Sequence, residues 1–329
     1  MNRRIISVII SAGAMVLLIM NTKTAISGAS AGIELCLKVL IPSLFPFFVV
    51  STYLNASMLG LTIPGLRMIG RALHLPEGSD SILIMGLLGG YPVGAKVIAD
   101  AYNKGKLSKQ TGHIMLGYCN NAGPAFIFGV TSTLFSSAKM SFLIWGIHIF
   151  SALVTGLLLP STGQIGRIQQ NQKKTSFVTA VKNSITITAS VCSWVVIFKI
   201  IMSYLQLWIA ESNLITFIAG ILELSNGCIL LTQIHSEAVR FILCSGFLSF
   251  GGICVLMQTA SVTDSLGLGL YIPGKIMQTA ISILTASIAV FVIYPNMQFP
   301  LMLTLFIDGF CIAIIIIIRY YSEKVVEIP

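Results

Sequence analysis

The sequence predicts an all-α polytopic membrane protein with about eight transmembrane helices and two re-entrant helical hairpins, arranged as an inverted repeat. Of the 329 residues, 55% are hydrophobic and only 9% are charged, whereas a soluble domain carries roughly 25% charged residues. Apolar blocks long enough to cross a bilayer recur along the chain. Two further blocks are interrupted at their centres by turn-forming residues, and similar interruptions recur in the same order in both halves.

The first element is an N-terminal membrane anchor helix at 1–24, because Arg3 and Arg4 precede a mostly apolar run. A cleaved signal peptide is the alternative. The other crossings are predicted at 33–54, 111–135, 139–160, 185–208, 237–260, 275–294 and 300–319. The hairpins are predicted at 81–103 and 213–235, and we expect 111–135 and 237–260 to be broken helices.

The interruptions define two repeats, one at 25–160 and one at 177–294. The first repeat contains GLLGGYPVG at 86–94, which resembles GILELSNG at 220–227. Each repeat holds three crossings, so the second copy enters the membrane from the opposite face, as in many secondary transporters. The alternative is that glycine-containing apolar helices resemble one another through composition alone. A basic cytoplasmic linker at 161–176 joins the repeats, and a C-terminal helix and tail follow at 295–329.

The formal charge of +9 indicates orientation in a lipid bilayer, and no nucleic-acid partner is expected. If neither hairpin crosses, 14 of the 20 Lys and Arg residues fall on the cytoplasmic side, with Lys275 among them and both termini cytoplasmic. The seven cysteines lie in apolar stretches without a CxxC motif, and the four histidines are far apart. Neither a metal site nor a cofactor is therefore predicted.

The first hairpin supplies the first set of candidate substrate-binding residues: Gly89, Gly90, Tyr91, Pro92, Gly94 and Lys96. Irregular backbone inside hydrocarbon must be buried in protein or face water, so this turn is expected to line a central cavity. The half-helix that follows would present free N–H groups to an anion. Lys96 would contact the same anion, although pairing with Asp100 or extension to the membrane interface is equally open.

The two broken helices and the second hairpin supply the remaining candidates. These are Asn120, Asn121 and Gly123 in the first repeat, and Ser225, Asn226 and Ser249 in the second. Two adjacent carboxamides beside Gly123 and Pro124 favour a ligand site over simple helix association. Glu223 is predicted to couple transport to a proton or sodium ion, or alternatively to neutralise Lys199.

Three strings carry a family resemblance: LIPSLFPFF at 40–48, GLLGGYPVGAK at 86–96 and YCNNAGPAFI at 118–127. The chain resembles the sporulation integral membrane protein family of endospore-forming Firmicutes, in the nucleoside-recognition "gate" domain group. The resemblance implies a membrane protein made during sporulation and similar in plan to concentrative nucleoside transporters. For close members it implies movement of dipicolinate across the outer forespore membrane into the spore. This flat aromatic dianion fits Lys96, Asn120 and Asn121.

The predicted function is therefore transport of a small organic anion, with no catalytic residues. A nucleoside or other heteroaromatic carrier is the nearest alternative, and a non-transporting assembly protein of the sporulation membrane is another. An intramembrane enzyme would need a nucleophile with a base in reach, and the sequence shows no such pairing. A homo-oligomer is left open.

Overall fold

The computed structural model describes residues 3–161, 167–168, 176–209, 212–293 and 301–327, and this part of the chain is helical, without strands. Its helices are α1 (Arg3–Met20), α2 (Thr22–Leu35), α3 (Ile41–Met58), α4 (Pro64–Ala72), α5 (Asp80–Leu88), α6 (Val93–Asn103), α7 (Lys109–Leu116), α8 (Pro124–Leu134), α9 (Ala138–Leu158), α10 (Phe177–Trp208), α11 (Ser212–Leu222), α12 (Leu224–Leu230), α13 (Glu237–Phe250), α14 (Gly252–Thr263), α15 (Tyr271–Ile293) and α16 (Leu301–Glu327). A π-helical turn, Cys36–Leu40, joins α2 to α3, and a 3-10 turn, Leu231–Gln233, follows α12. The expected all-helical architecture is confirmed.

Six helical segments within the described ranges are long and apolar enough to cross a membrane. They are Thr22–Leu54, Ala138–Leu158, Phe177–Trp208, Glu237–Thr263, Tyr271–Val292 and Thr304–Lys324. The expected crossings at 1–24 and 111–135 do not reach this length: the apolar helix Arg4–Met20 is shorter, and 111–135 is divided between α7 and α8. The chain is therefore a multi-pass membrane protein, and the total of eight crossings stays a prediction.

The long helix formed by α2 and α3 runs antiparallel to α10. Contacts along this pair join Gly28 to Ser203, Gly32 to Val196, Cys36 to Cys192 and Tyr53 to Phe177. Residue numbers rise along one helix as they fall along the other, which defines the antiparallel direction. Gly28 and Gly32 form a GxxxG motif, and a Cβ added at Gly32 would lie 2.9 Å from the Cα of Val196. The absence of side chains there lets the two backbones approach closely.

Both predicted hairpins consist of two helices joined by a tight turn: α5 and α6 in the first, and α11 and α12 in the second. A Cβ added at Gly94 would lie 2.9 Å from the Cα of Gly86, and one at Gly227 would lie 2.3 Å from the Cα of Gly220. The two arms of each hairpin are thus in backbone contact at the glycines that the sequence comparison aligned.

Both expected broken helices are interrupted. The first leaves helical geometry between α7 and α8, at 117–123. The second breaks between α13 and α14, where Gly251 and Gly252 have φ of 80° and 84°, a left-handed conformation that glycine adopts without steric cost. A Cβ at Gly251 would lie 3.2 Å from the ring of Tyr91, so the second break packs against the first hairpin turn.

Assigning Lys275 to a cytoplasmic loop is wrong. Helix α15 begins at Tyr271, one turn before the apolar block at 275–294, and this places Lys275 inside the protein at 2% exposure. Much of the linker at 161–176, and residues 295–300 of the C-terminal segment, lie outside the described residues. The described part of the linker packs on the first repeat, because Ile168 N donates to Glu77 O at 2.7 Å.

Candidate functional site

The first hairpin turn brings Tyr91 to the centre of the molecule. Gly90 has φ of 77°, which turns the chain sharply between α5 and α6. The Tyr91 hydroxyl donates to the carbonyl of Leu248, in α13, at 3.2 Å. This side chain therefore ties the first hairpin to the broken helix of the other half of the chain.

The N-terminus of α6 differs from the anion cradle that the sequence suggested. Two of its first three N–H groups are bonded within the protein: Val93 N donates to Gly90 O at 2.8 Å, and Ala95 N donates to Asn120 Oδ1 at 3.3 Å. Lys96 makes an ion pair with Asp100 at 2.5 Å, with both side chains partly exposed. The sequence allows three roles for Lys96, and the one observed in the structure is the ion pair with Asp100.

The paired asparagines in the first break are completely buried and engaged with protein groups. Asn120 Nδ2 donates to Thr259 Oγ1 at 3.0 Å, which links the first break to α14. Asn121 Nδ2 donates to the carbonyls of Gly86 at 2.9 Å and Tyr118 at 2.6 Å. Both carboxamides therefore hold the first break against its neighbours, and neither lines the cavity described below.

Lys275 is the functional candidate that the sequence reasoning missed. Its ammonium donates to Gln278 Oε1 at 2.7 Å, to Asn121 Oδ1 at 3.2 Å and to the Tyr91 hydroxyl at 3.2 Å. Gln278 Nε2 completes the cluster by donating to Asn121 Oδ1 at 2.8 Å. A lysine in an apolar helix is a signal of function, but the predicted crossing at 275–294 places Lys275 at its very edge, on the cytoplasmic side.

His148, in α9, joins the two breaks. Its Nε2 accepts a hydrogen bond from Ala122 N at 3.2 Å, and its Nδ1 lies 3.2 Å from the Ser249 hydroxyl. Because Nε2 accepts, the ring is neutral with its proton on Nδ1, which then donates to Ser249. Ser249, a predicted substrate residue, is thus a buried partner of this histidine.

In the second hairpin, Glu223 caps the N-terminus of α12. Its carboxylate accepts from Ser225 N at 3.0 Å and from Asn226 N at 2.8 Å, an arrangement that the partial positive charge of a helix N-terminus favours. Lys199, in α10, donates to Asn226 Oδ1. The charges of Lys199 and Glu223 also attract each other, so the alternative of neutralisation fits this geometry.

A cavity of about 50 Å³ lies where the interruptions meet. Its lining includes Gly90, Gly123, Glu223, Ser225, Val255 and Gln258, with Leu40 and Val195 from the long antiparallel helices. Five predicted site residues therefore line it: Gly90, Tyr91, Gly123, Glu223 and Ser225. Gly89, Pro92, Gly94, Lys96, Asn120, Asn121, Asn226 and Ser249 lie outside its lining. The space admits a few water molecules.

In the described ranges, no three His, Cys, Asp or Glu side chains come close enough together to bind a metal ion. All seven cysteines are free thiols. The polar side chains that line the cavity are one carboxylate (Glu223), two hydroxyls (Tyr91 and Ser225) and one carboxamide (Gln258), and such groups can orient an organic solute.

These features define a multi-pass integral membrane protein with interrupted helices around a small cavity that has a mostly apolar lining and a few polar groups. The chain is similar to the sporulation integral membrane protein YlbJ of Bacillus subtilis (strain 168), with 27% identity over 173 residues. The matched region covers 51% of this chain and 42% of that protein, less than half of its length. No family model and no solved structure matches the chain.

Proposed function

We propose that this protein transports a small organic anion across a membrane, with the central cavity as the closed form of its substrate site. The observation that supports this most is the position of the cavity, which is lined by residues of both hairpin turns and both broken helices. Substrate sites of secondary transporters lie where such interrupted helices meet near the middle of the bilayer. In this proposal the two hairpins enter the membrane without crossing it, and the two repeats have opposite orientation.

The charges around the interruptions favour an anion. Lys275 is 2% exposed and bonded to neutral oxygens. Lys199 lies beside the second hairpin. These two positive charges compare with one negative charge, the carboxylate of Glu223. A buried ammonium without an anionic partner is costly, and a negatively charged solute would offset that cost. The positive excess therefore supports an anionic solute over a cationic one.

The proposed solute is dipicolinate, moved into the developing spore across the outer forespore membrane. The similarity to a sporulation integral membrane protein supports a role in a membrane during sporulation. An aromatic dicarboxylate is larger than the cavity of about 50 Å³, so the hairpins and broken helices must separate to admit it. Such separation is the alternating-access motion expected of this class. Glu223 would serve as a proton-coupling group on the cavity wall.

Uptake of labelled dipicolinate into proteoliposomes tests the proposal. We expect saturable uptake that unlabelled dipicolinate blocks and uridine does not. Val195→Phe would fill the cavity and abolish uptake, whereas Ile197→Phe, at an outward-facing position of the same helix, would preserve it. Competition by uridine alone would indicate a nucleoside carrier. Correctly inserted protein without any uptake would contradict transport.

A further inference from the structure

The ammonium of Lys275 occupies a site made of oxygens from three parts of the fold. Tyr91 comes from the first hairpin turn, Asn121 from the first break, and Gln278 from the same helix, α15. All three acceptors are neutral, and together they use the three hydrogens of the ammonium group. Lys275 makes none of the ion pairs found within the described ranges.

Oxygens that converge beside an unwound helix, backbone carbonyls above all, coordinate the sodium ion in transporters with broken helices, and neutral side-chain oxygens can serve a hard cation in the same way. In this protein the three oxygens are already bonded to the ammonium of Lys275, which is covalently attached to the chain. A sodium ion added at the same oxygens would lie within a few ångströms of a like charge in a medium of low dielectric constant, which strongly opposes its binding. The site is thus filled by a cation that cannot leave.

The second half of the chain has a similar arrangement. Lys199 donates to the side-chain carbonyl of Asn226, which follows the interruption at Glu223. In each half, an asparagine at or next to a helix interruption is therefore bonded to a lysine from a long helix of the second half, Asn121 to Lys275 and Asn226 to Lys199. Lys275 is more buried than Lys199 and has no carboxylate beside it in the described structure. Its positive charge is therefore the one that lacks a balancing negative charge.

The charge of Lys275 lies next to the cavity. Its Nζ is 5.1 Å from the centre of the Tyr91 ring, and Tyr91 lines the cavity. A small displacement of Tyr91 would let a carboxylate replace the hydroxyl as a partner of the ammonium, and charge-assisted hydrogen bonds of this kind are stronger than neutral ones. Because Tyr91 also holds Leu248, such an exchange would release the contact between the two halves.

We propose that Lys275 is the resident cation of the substrate site: it takes the place of a co-bound sodium ion and balances the charge of the anion, so that uptake does not require sodium. This inference rests on the proposed anion transport. If uptake does not require sodium, the proton is the coupling ion that remains of the two that the sequence allows at Glu223.

The experiment compares wild type, Lys275→Met and Lys275→Arg, with Lys139→Met as the matched control at an exposed lysine of α9. Each full-length protein is assayed for dipicolinate uptake and for thermal unfolding in detergent, in sodium chloride and in choline chloride. We expect wild-type uptake to be equal in the two salts. Lys275→Met should weaken dipicolinate-dependent stabilisation at least about tenfold in concentration, Lys275→Arg should keep part of it, and Lys139→Met should match wild type.

Thermal unfolding gives a readout that does not depend on transport. Removing the ammonium leaves the oxygens of Asn121, Gln278 and Tyr91 without their cation, so sodium should stabilise Lys275→Met but not wild type. Sodium-dependent uptake or sodium stabilisation by wild type would overturn the inference, as would unchanged dipicolinate binding by Lys275→Met. If Lys275→Met does not fold, the wild-type protein still tests the inference, through its uptake and its thermal unfolding in sodium chloride and in choline chloride. Wild type that neither takes up nor binds dipicolinate would instead refute the proposed function, and the sodium response of Lys275→Met would still report on the role of the ammonium.

Discussion

At the scale of single residues, the polar groups in the interior are joined in pairs across the two halves of the chain. Asn120 bonds to Thr259, and Lys275 bonds to Tyr91. His148 bonds to both breaks at once, through Ala122 and Ser249. Each of these side chains is buried, so its partner supplies the hydrogen bond that water would make at the surface. Contacts between the halves are therefore specific, and each of them would have to break if the two halves separated.

We predict that His148→Ala destabilises the protein by about 1 to 3 kcal/mol, because the buried N–H of Ala122 loses its acceptor. The matched control is His235→Ala, at an exposed histidine, which should be close to neutral. The measurement is thermal unfolding of both variants in the same detergent. Equal unfolding temperatures for His148→Ala and wild type would show that the histidine is not a necessary link.

At the scale of helices, the sequence located the interruptions well because glycine, proline and asparagine act locally. The turn at Gly90 and the break after Leu116 are visible from residue type alone, since these residues favour turns wherever they occur. The partners of the interrupted segments were not predictable in this way. Lys275 meets Asn121 across 154 residues, and such a contact depends on packing that no local pattern encodes. Lys96, close to the turn in sequence, bonds to Asp100 instead.

The close contact of α2 with α10 leads to a second prediction. Gly32→Ala should destabilise the protein by about 1 to 3 kcal/mol, because its Cβ would lie 2.9 Å from the Cα of Val196 and the two helices would have to separate. Gly13→Ala, in α1, provides the control, since a Cβ there meets nothing within 4 Å. The midpoint of thermal unfolding should fall for the first variant only. A normal midpoint for Gly32→Ala would mean that the helices tolerate a wider spacing.

At the scale of the whole molecule, the antiparallel pairing of α2 and α3 with α10 is what two units of opposite orientation require. In each hairpin the two arms meet at a pair of glycines, and residues from both halves of the chain line the cavity. Sequence comparison suggested this plan from short strings alone. It does not predict the charge at the centre, because Pro273 and Gly274 in the first turn of α15 are residues that also favour loops.

Opposite orientation predicts that the segments after the two hairpins lie on opposite sides of the membrane. Lys104 follows the first hairpin and His235 follows the second, and both are exposed. In a variant without the seven native cysteines, Lys104→Cys should react with a membrane-impermeant maleimide only after cells are permeabilised, because the basic residues place it in the cytoplasm. His235→Cys should react in intact cells. If both positions react from the same side, at least one hairpin crosses the membrane and the second unit is not inverted.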